Sequence, residues 1–176
     1  MRYLVALLCV LLMKSTFAAG LPAAPEFTHR SAAEWLNSPP LILASLQGSP
    51  VLVEFWTFDC INSLRSMDWM RSIATRKTAA GLKIVSVHTP EFAHEKRPEN
   101  VRAAIAKLGI TYPVMLDVDF SYWRAFDNQY WPAFYLIDAK GRLVAKRFGE
   151  LHVGEKGALQ FEKEIDNALA SAASTR

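Results

Sequence analysis

The chain has 176 residues, 51% hydrophobic, 11% aromatic and 21% charged. That fills one core and excludes disorder or low-complexity architecture. Lys and Arg number 20 against 17 Asp and Glu, a net +3, too balanced for a protein that grips nucleic acid by neutralising phosphates. Two cysteines exclude a disulfide-dense mini-protein, and no cluster supplies the ligands of a structural zinc. A globular α/β or α+β domain remains.

Arg2, the apolar run Leu4 to Met13 and the small residues around Ala18 and Ala19 follow the layout of a secretory signal peptide. Ten apolar residues are too few to cross a bilayer core of about 30 Å. The sequence therefore predicts an exported, periplasmic protein with residues 1–19 as signal, 20–30 as a flexible lead-in and 31–176 as the domain. Cys9 would leave with the signal, so Cys60 would be the one cysteine of the mature chain. Removing Arg2 and Lys14 leaves 18 basic residues against 17 acidic ones, so charge identifies no partner.

A short helix is expected within Thr28 to Asn37, stopped by Pro39-Pro40. The nearly all-apolar run Val51 to Trp56 reads as a strand covered on both faces. A helix follows from Ile61 to about Ala80, with Gly81 as its stop. Leu82 to His88 is a second buried strand. Pro98 opens a helix that Gly109 ends, and Val114 to Leu116 is a short strand. Tyr122 to Phe126 forms a helical turn or two. Ala133 to Ile137 and Leu143 to Phe148 make a hairpin around Asp138 to Gly141. The last helix runs from about Glu155 to Ala170.

Chemistry concentrates where the first buried strand meets its long helix. Cys60 falls at that helix N-terminus, where unpaired N–H groups and the positive end of the macrodipole favour a thiolate. Asp59 opposes this slightly as a like charge. The competing reading is a buried, inert cysteine. The four histidines form no ligand pair on a recognisable helix, so structural or solvated roles are favoured over metal.

Val51-Leu-Val-Glu-Phe-Trp-Thr-Phe-Asp-Cys-Ile-Asn-Ser63 resembles the active-site segment of thioredoxin-fold proteins. It is most similar to the exported TlpA-like group and the thioredoxin-like domain of DipZ-type proteins. Val87-His-Thr-Pro-Glu-Phe92, Leu108-Gly-Ile-Thr-Tyr-Pro-Val114 and Asn128-Gln-Tyr-Trp-Pro-Ala-Phe-Tyr-Leu-Ile-Asp138 extend the likeness from about residue 30 to the C-terminus. It implies an α/β, thioredoxin-like fold: a mixed, mostly parallel sheet with helices on both faces. Pro132 would be the cis-proline facing Cys60, the alternative being a trans proline that starts an edge strand. Glu54 would be a buried carboxyl behind the site, its proton affinity raised so that it can shuttle protons. Otherwise it turns to the sheet edge or pairs with Lys83. Trp56, Thr57 and Trp131 would contact substrate, although the aromatic stretch around Trp131 also suits core packing.

The pattern departs from the family's Cys-x-x-Cys at Ser63, and Asp68 stands where a proline is usual. A serine hydroxyl cannot resolve a mixed disulfide, but it can hydrogen-bond a thiolate. Three readings follow: a monothiol exchange protein, a substrate-trapping substitution, or a peptide-binding module with a silent thiol. Thr57-Phe-Asp-Cys60 also fits the Thr-x-x-Cys of peroxiredoxins, without their upstream proline. The favoured reading is exchange through Cys60 with protein or small-molecule disulfides and thiols. A membrane-linked reductant is one candidate partner, and no organic cofactor, metal or nucleic acid is implied.

Overall fold

The computed structural model describes residues 21–174; the signal segment expected at 1–19 lies outside them. Six strands form one sheet: β1 (Trp35–Leu36), β2 (Val51–Trp56), β3 (Lys83–His88), β4 (Val114–Leu116), β5 (Ala133–Ile137) and β6 (Leu143–Phe148). Their spatial order is β1-β4-β3-β2-β5-β6. The central three are parallel, while β1, β5 and β6 each run antiparallel to a neighbour. Every residue of β2, β4 and β5 is buried, which is why their sequences, Glu54 excepted, are continuous apolar runs rather than alternating ones.

Helices α1 (Ile61–Lys77) and α2 (Pro98–Leu108) are the crossovers β2-α1-β3 and β3-α2-β4. Both connections step along the sheet in one direction, so their common right-handedness places both helices on one face. There they share a core with α4 (Lys156–Ala173), in which Met70 and Ile73 of α1, Ile105 of α2 and Phe161 and Ile165 of α4 pack on Leu52 and Trp56. The connection through α3 (Ser121–Ala125) steps back the other way and crosses the opposite face. Tyr122 of α3 packs there with Phe27, Trp35, Val53 and Phe55. Gly109 ends α2 in the left-handed conformation, φ 66°, that its lack of a side chain permits.

The N-terminal stretch differs from expectation. The residues read as a flexible lead-in are bound to the domain: Ala23 bridges Arg142, Phe27 is 1% exposed and His29 is 5% exposed. The Glu26 carboxylate accepts the N–H groups of Leu43 and Ala44. Hydrophobic Phe27 and Trp35 are what close the second core, and their spacing was too irregular to announce it. Trp35 and Leu36 are likewise an edge strand on β4 rather than the end of a helix. The 3-10 turn Ala32–Glu34 directly precedes them.

Candidate active site around Cys60

Topology gathers three loops at one end of the sheet. Trp56 ends β2 and lies opposite His88, the last residue of parallel β3. Antiparallel β5 pairs Ala133 with Phe55, so Pro132 enters the sheet at the same end. The turns 57–60, 89–97 and 126–132 therefore meet.

Cys60 is the N-cap residue of α1, with extended backbone (φ −79°, ψ 112°), and its thiol is free and half-buried. The Cys60 side chain makes no capping hydrogen bond to the first N–H groups of the helix, so the sulfur is left free to face the neighbouring loop. Sγ lies 3.9 Å from the carbonyl oxygen of Trp131. The Trp131–Pro132 bond is cis. Trp131 is fixed by its indole N–H, which donates to the carbonyl of Thr89 at 3.0 Å, and by Trp123, whose ring lies 4.3 Å away. Apolar surface is present around the site: Ile61 at the start of α1, Tyr130 and Phe92 are each at least half exposed.

Ser63, one turn along α1, is fully buried, and its Oγ has no protein hydrogen-bond partner. The hydroxyl-to-thiolate bond anticipated from the sequence is thus not formed with the thiol in this state. Glu54 is wholly buried on the face of β2 that meets α1. Its Oε2 accepts the Ser86 hydroxyl at 3.0 Å while Oε1 is unpartnered. Burial pushes its carboxyl up to about 8 against the weaker opposing effect of Ser86, so it is largely neutral at pH 7. Lys83, the alternative partner, pairs with Val51 at the far end of the strand.

Two positions expected to contact substrate do not reach the surface. Trp56 is 0% exposed, its indole edge-on to the His88 ring at 5.2 Å. It supports the site from the core, because a strand buried on both faces leaves no side chain outside. Thr57 is 0% exposed too. Its hydroxyl donates to the Glu95 carboxylate and lies 3.3 Å from His88 Nε2, so it is turned to that buried cluster and engaged there, unlike the free hydroxyl a peroxide-binding Thr-x-x-Cys would need. Trp131 is partly exposed and remains at the rim.

The sequence reading missed the residues beneath the 57–60 turn. Glu95 is fully buried, and its only sequence signal is a Glu three residues after a turn start at Phe92. Burial holds the His88 imidazole down to about 4 despite the Glu95 charge nearby, so it stays neutral. Asp59 pairs with His94 Nε2 at 2.5 Å, and the His94 ring lies 5.8 Å from Phe58 and 6.0 Å from Phe92.

Among the described residues, one group has donor atoms close enough to share an ion: His29, Asp117 and Asp119. Asp117 is already engaged there, accepting the N–H groups of Tyr122 and Trp123 and the Thr89 hydroxyl. It reads as the anchor of α3 and of the Thr89 loop.

With this geometry in view, the relatives are informative. DipZ of Mycobacterium tuberculosis is 44% identical over 119 residues, 66% of this chain but 17% of DipZ. The chain therefore matches a small part of that larger protein. The thiol-disulfide oxidoreductase YkuV of Bacillus subtilis is 29% identical over 146 residues, 83% of this chain and 93% of YkuV. The solution structure of a thioredoxin-like protein in the oxidised form superimposes with a TM-score of 0.72 at 28% identity, covering 86% of this chain and 97% of that one. The fold is thioredoxin-like, and the chain is related to thiol-disulfide oxidoreductases. The AhpC/TSA family model matches residues 22–146, most of the described domain, and the chain belongs to that family.

Proposed function

We propose that this protein is an exported thiol–disulfide exchange protein that works through Cys60 alone. The observation that carries the reading is the half-buried thiol at the start of α1, facing the Trp131 carbonyl beside cis-Pro132, with a buried serine in the resolving position. The Cys60 thiolate attacks one sulfur of a disulfide. A bond forms between Sγ and that sulfur, the old S–S bond breaks, and the other sulfur leaves as a thiolate. A thiol from outside then attacks the mixed disulfide, regenerating Cys60 and carrying away the new disulfide. Disulfides are conserved in each step, so the direction of electron flow is set by the partners.

Trp131 and the backbone beside Pro132 position the bound partner, and Glu54 provides a buried proton store. Export rests on the pattern of residues 1–19. No cofactor takes part in this cycle.

The test uses the reduced mature chain, in which Cys60 is the one cysteine, and glutathione disulfide. Intact mass should show one glutathione adduct, mapped to Cys60, that persists until dithiothreitol is added. Absence of an adduct until the protein is denatured would favour the silent binding module instead. Fast sulfenate formation at low peroxide would favour a peroxidase.

A further inference from the structure

Glu95 lies between two of the loops that frame Cys60 and bonds to both. Its Oε2 accepts the N–H groups of Glu91 and Phe92, each at 2.7 Å. Its Oε1 accepts the Asp59 N–H at 3.1 Å and the Thr57 hydroxyl. Four donors converge on one carboxylate that is 0% exposed. A buried carboxylate is costly unless its lone pairs are filled by donors, and here the donors come equally from the 57–60 turn and the 91–96 turn. The same two segments are joined again at the surface by Asp59 and His94. Within the 57–60 turn, Cys60 follows directly on the Asp59 N–H that Glu95 holds.

We propose that Glu95 is the positioning residue of the reactive thiol, a clamp that fixes the Thr57–Asp59 turn so that Cys60 caps α1 with its sulfur toward Trp131. This rests on Cys60 being the reacting group. Glu95 touches no substrate. It acts through the backbone it holds, and it holds Phe92 at the rim through the same carboxylate. Thr57 belongs to this clamp rather than to a substrate pocket.

The clamp makes an asymmetric demand on Glu95→Gln. Glutamine has one carbonyl oxygen, and its best arrangement turns that oxygen to the two N–H groups of Glu91 and Phe92. The amide NH2 then faces the Thr57 oxygen, which can accept, and the Asp59 N–H, which cannot. One loop stays tied and the other is released.

The experiment measures the second-order rate of Cys60 with glutathione disulfide in the wild type, Glu95→Gln and Thr57→Val, together with amide hydrogen exchange by NMR. Glu95→Gln should react about tenfold more slowly. Its Asp59 amide should exchange faster while the Glu91 and Phe92 amides keep their protection. Thr57→Val, which removes one donor of four, should lose at least threefold in rate. A folded Glu95→Gln that keeps its rate within threefold would overturn the proposal, as would a slowing with unaltered Asp59 exchange. Should Glu95→Gln not fold, Thr57→Val decides on the same threefold limit. A wild-type Cys60 that never reacts would defeat the exchange reading itself, and the Asp59 signature would then judge the clamp alone.

Discussion

In the proposed exchange cycle, Ser63 and Glu54 set the chemistry that single residues allow. In a two-thiol site the second sulfur releases the product, and a neighbouring carboxyl can take its proton. Here the second position holds a hydroxyl whose oxygen is buried and unpartnered, and Glu54 remains behind it with its carboxyl pushed up to about 8. Between the ordinary value of 4.5 and about 8, the folded chain keeps a proton that the unfolded chain has released. Stability from this group is therefore complete below the lower value and falls as pH rises, with the full penalty reached above the upper one. At pH 7 the penalty is about 3 kcal/mol. Glu54→Gln should accordingly melt higher than wild type at pH 8 and converge with it below pH 4.5, a comparison that thermal unfolding at several pH values reads directly. A constant offset across that range would show that Glu54 is ionised in the folded protein. Both Ser63 and Glu54 were visible in the sequence, because a motif with fixed spacing marked them. Glu95 was not, because its partners are backbone N–H groups of two loops, and nothing in local composition announces where a loop will fold back.

At the scale of elements, the site is made by strand direction more than by any loop. Parallel β3 and antiparallel β5 flank β2, so the end of one strand, the end of the next and the beginning of the last coincide. Continuous apolar runs made the central strands legible, and Pro98, Gly109 and the Asp138–Gly141 turn marked helix and hairpin limits. The edge strand Trp35–Leu36 was not legible, since two residues carry no period and their strand character comes wholly from pairing with β4. Packing of α4 on α1 depends on a polar contact within the apolar seam. The Trp69 indole N–H donates to Glu162 Oε1 at 3.0 Å, and Arg76 pairs with Oε2 at 2.9 Å. Trp69 is wholly buried, so Glu162→Ala leaves its N–H without an acceptor. The expected loss is about 2 kcal/mol, measurable by urea unfolding. A loss below about 0.5 kcal/mol would mean that the two helices are held by their apolar contacts alone.

Across the whole molecule, the N-terminal segment decides whether the second core is closed. Phe27 and Trp35 fill it, and His29 ties the segment to the β4–α3 connection through Asp117 at 3.1 Å. The hydrogen bond to Asp117 is the main cause that holds the His29 imidazole above its ordinary 6.5, ahead of the opposing effect of burial. The charges of Asp117, Glu34 and Asp119 add to the rise. A raised folded value means that the stabilisation is fully present below the unfolded value and is lost as pH rises through the folded one. His29→Asn should therefore flatten the decline in denaturation midpoint between pH 6 and pH 8 relative to wild type. Parallel curves would contradict that linkage. The lead-in could not be read as part of the domain from its sequence, because it has no regular structure of its own and gains order only from the aromatic core it covers.

The central claim is that one thiol does the exchange and that Ser63 alone prevents its intramolecular resolution. Restoring the second sulfur tests this most directly. Ser63→Cys sets a thiol one helical turn from Cys60, at the buried position where Ser63 Oγ now has no partner. With glutathione disulfide, the wild type should accumulate a persistent adduct on Cys60. The variant should discharge its adduct by attack of the introduced thiol. It should end with a disulfide between Cys60 and the introduced cysteine, two hydrogens lighter than the reduced chain. A folded variant that retains the adduct and closes no internal disulfide would contradict the account and place the reactive geometry elsewhere.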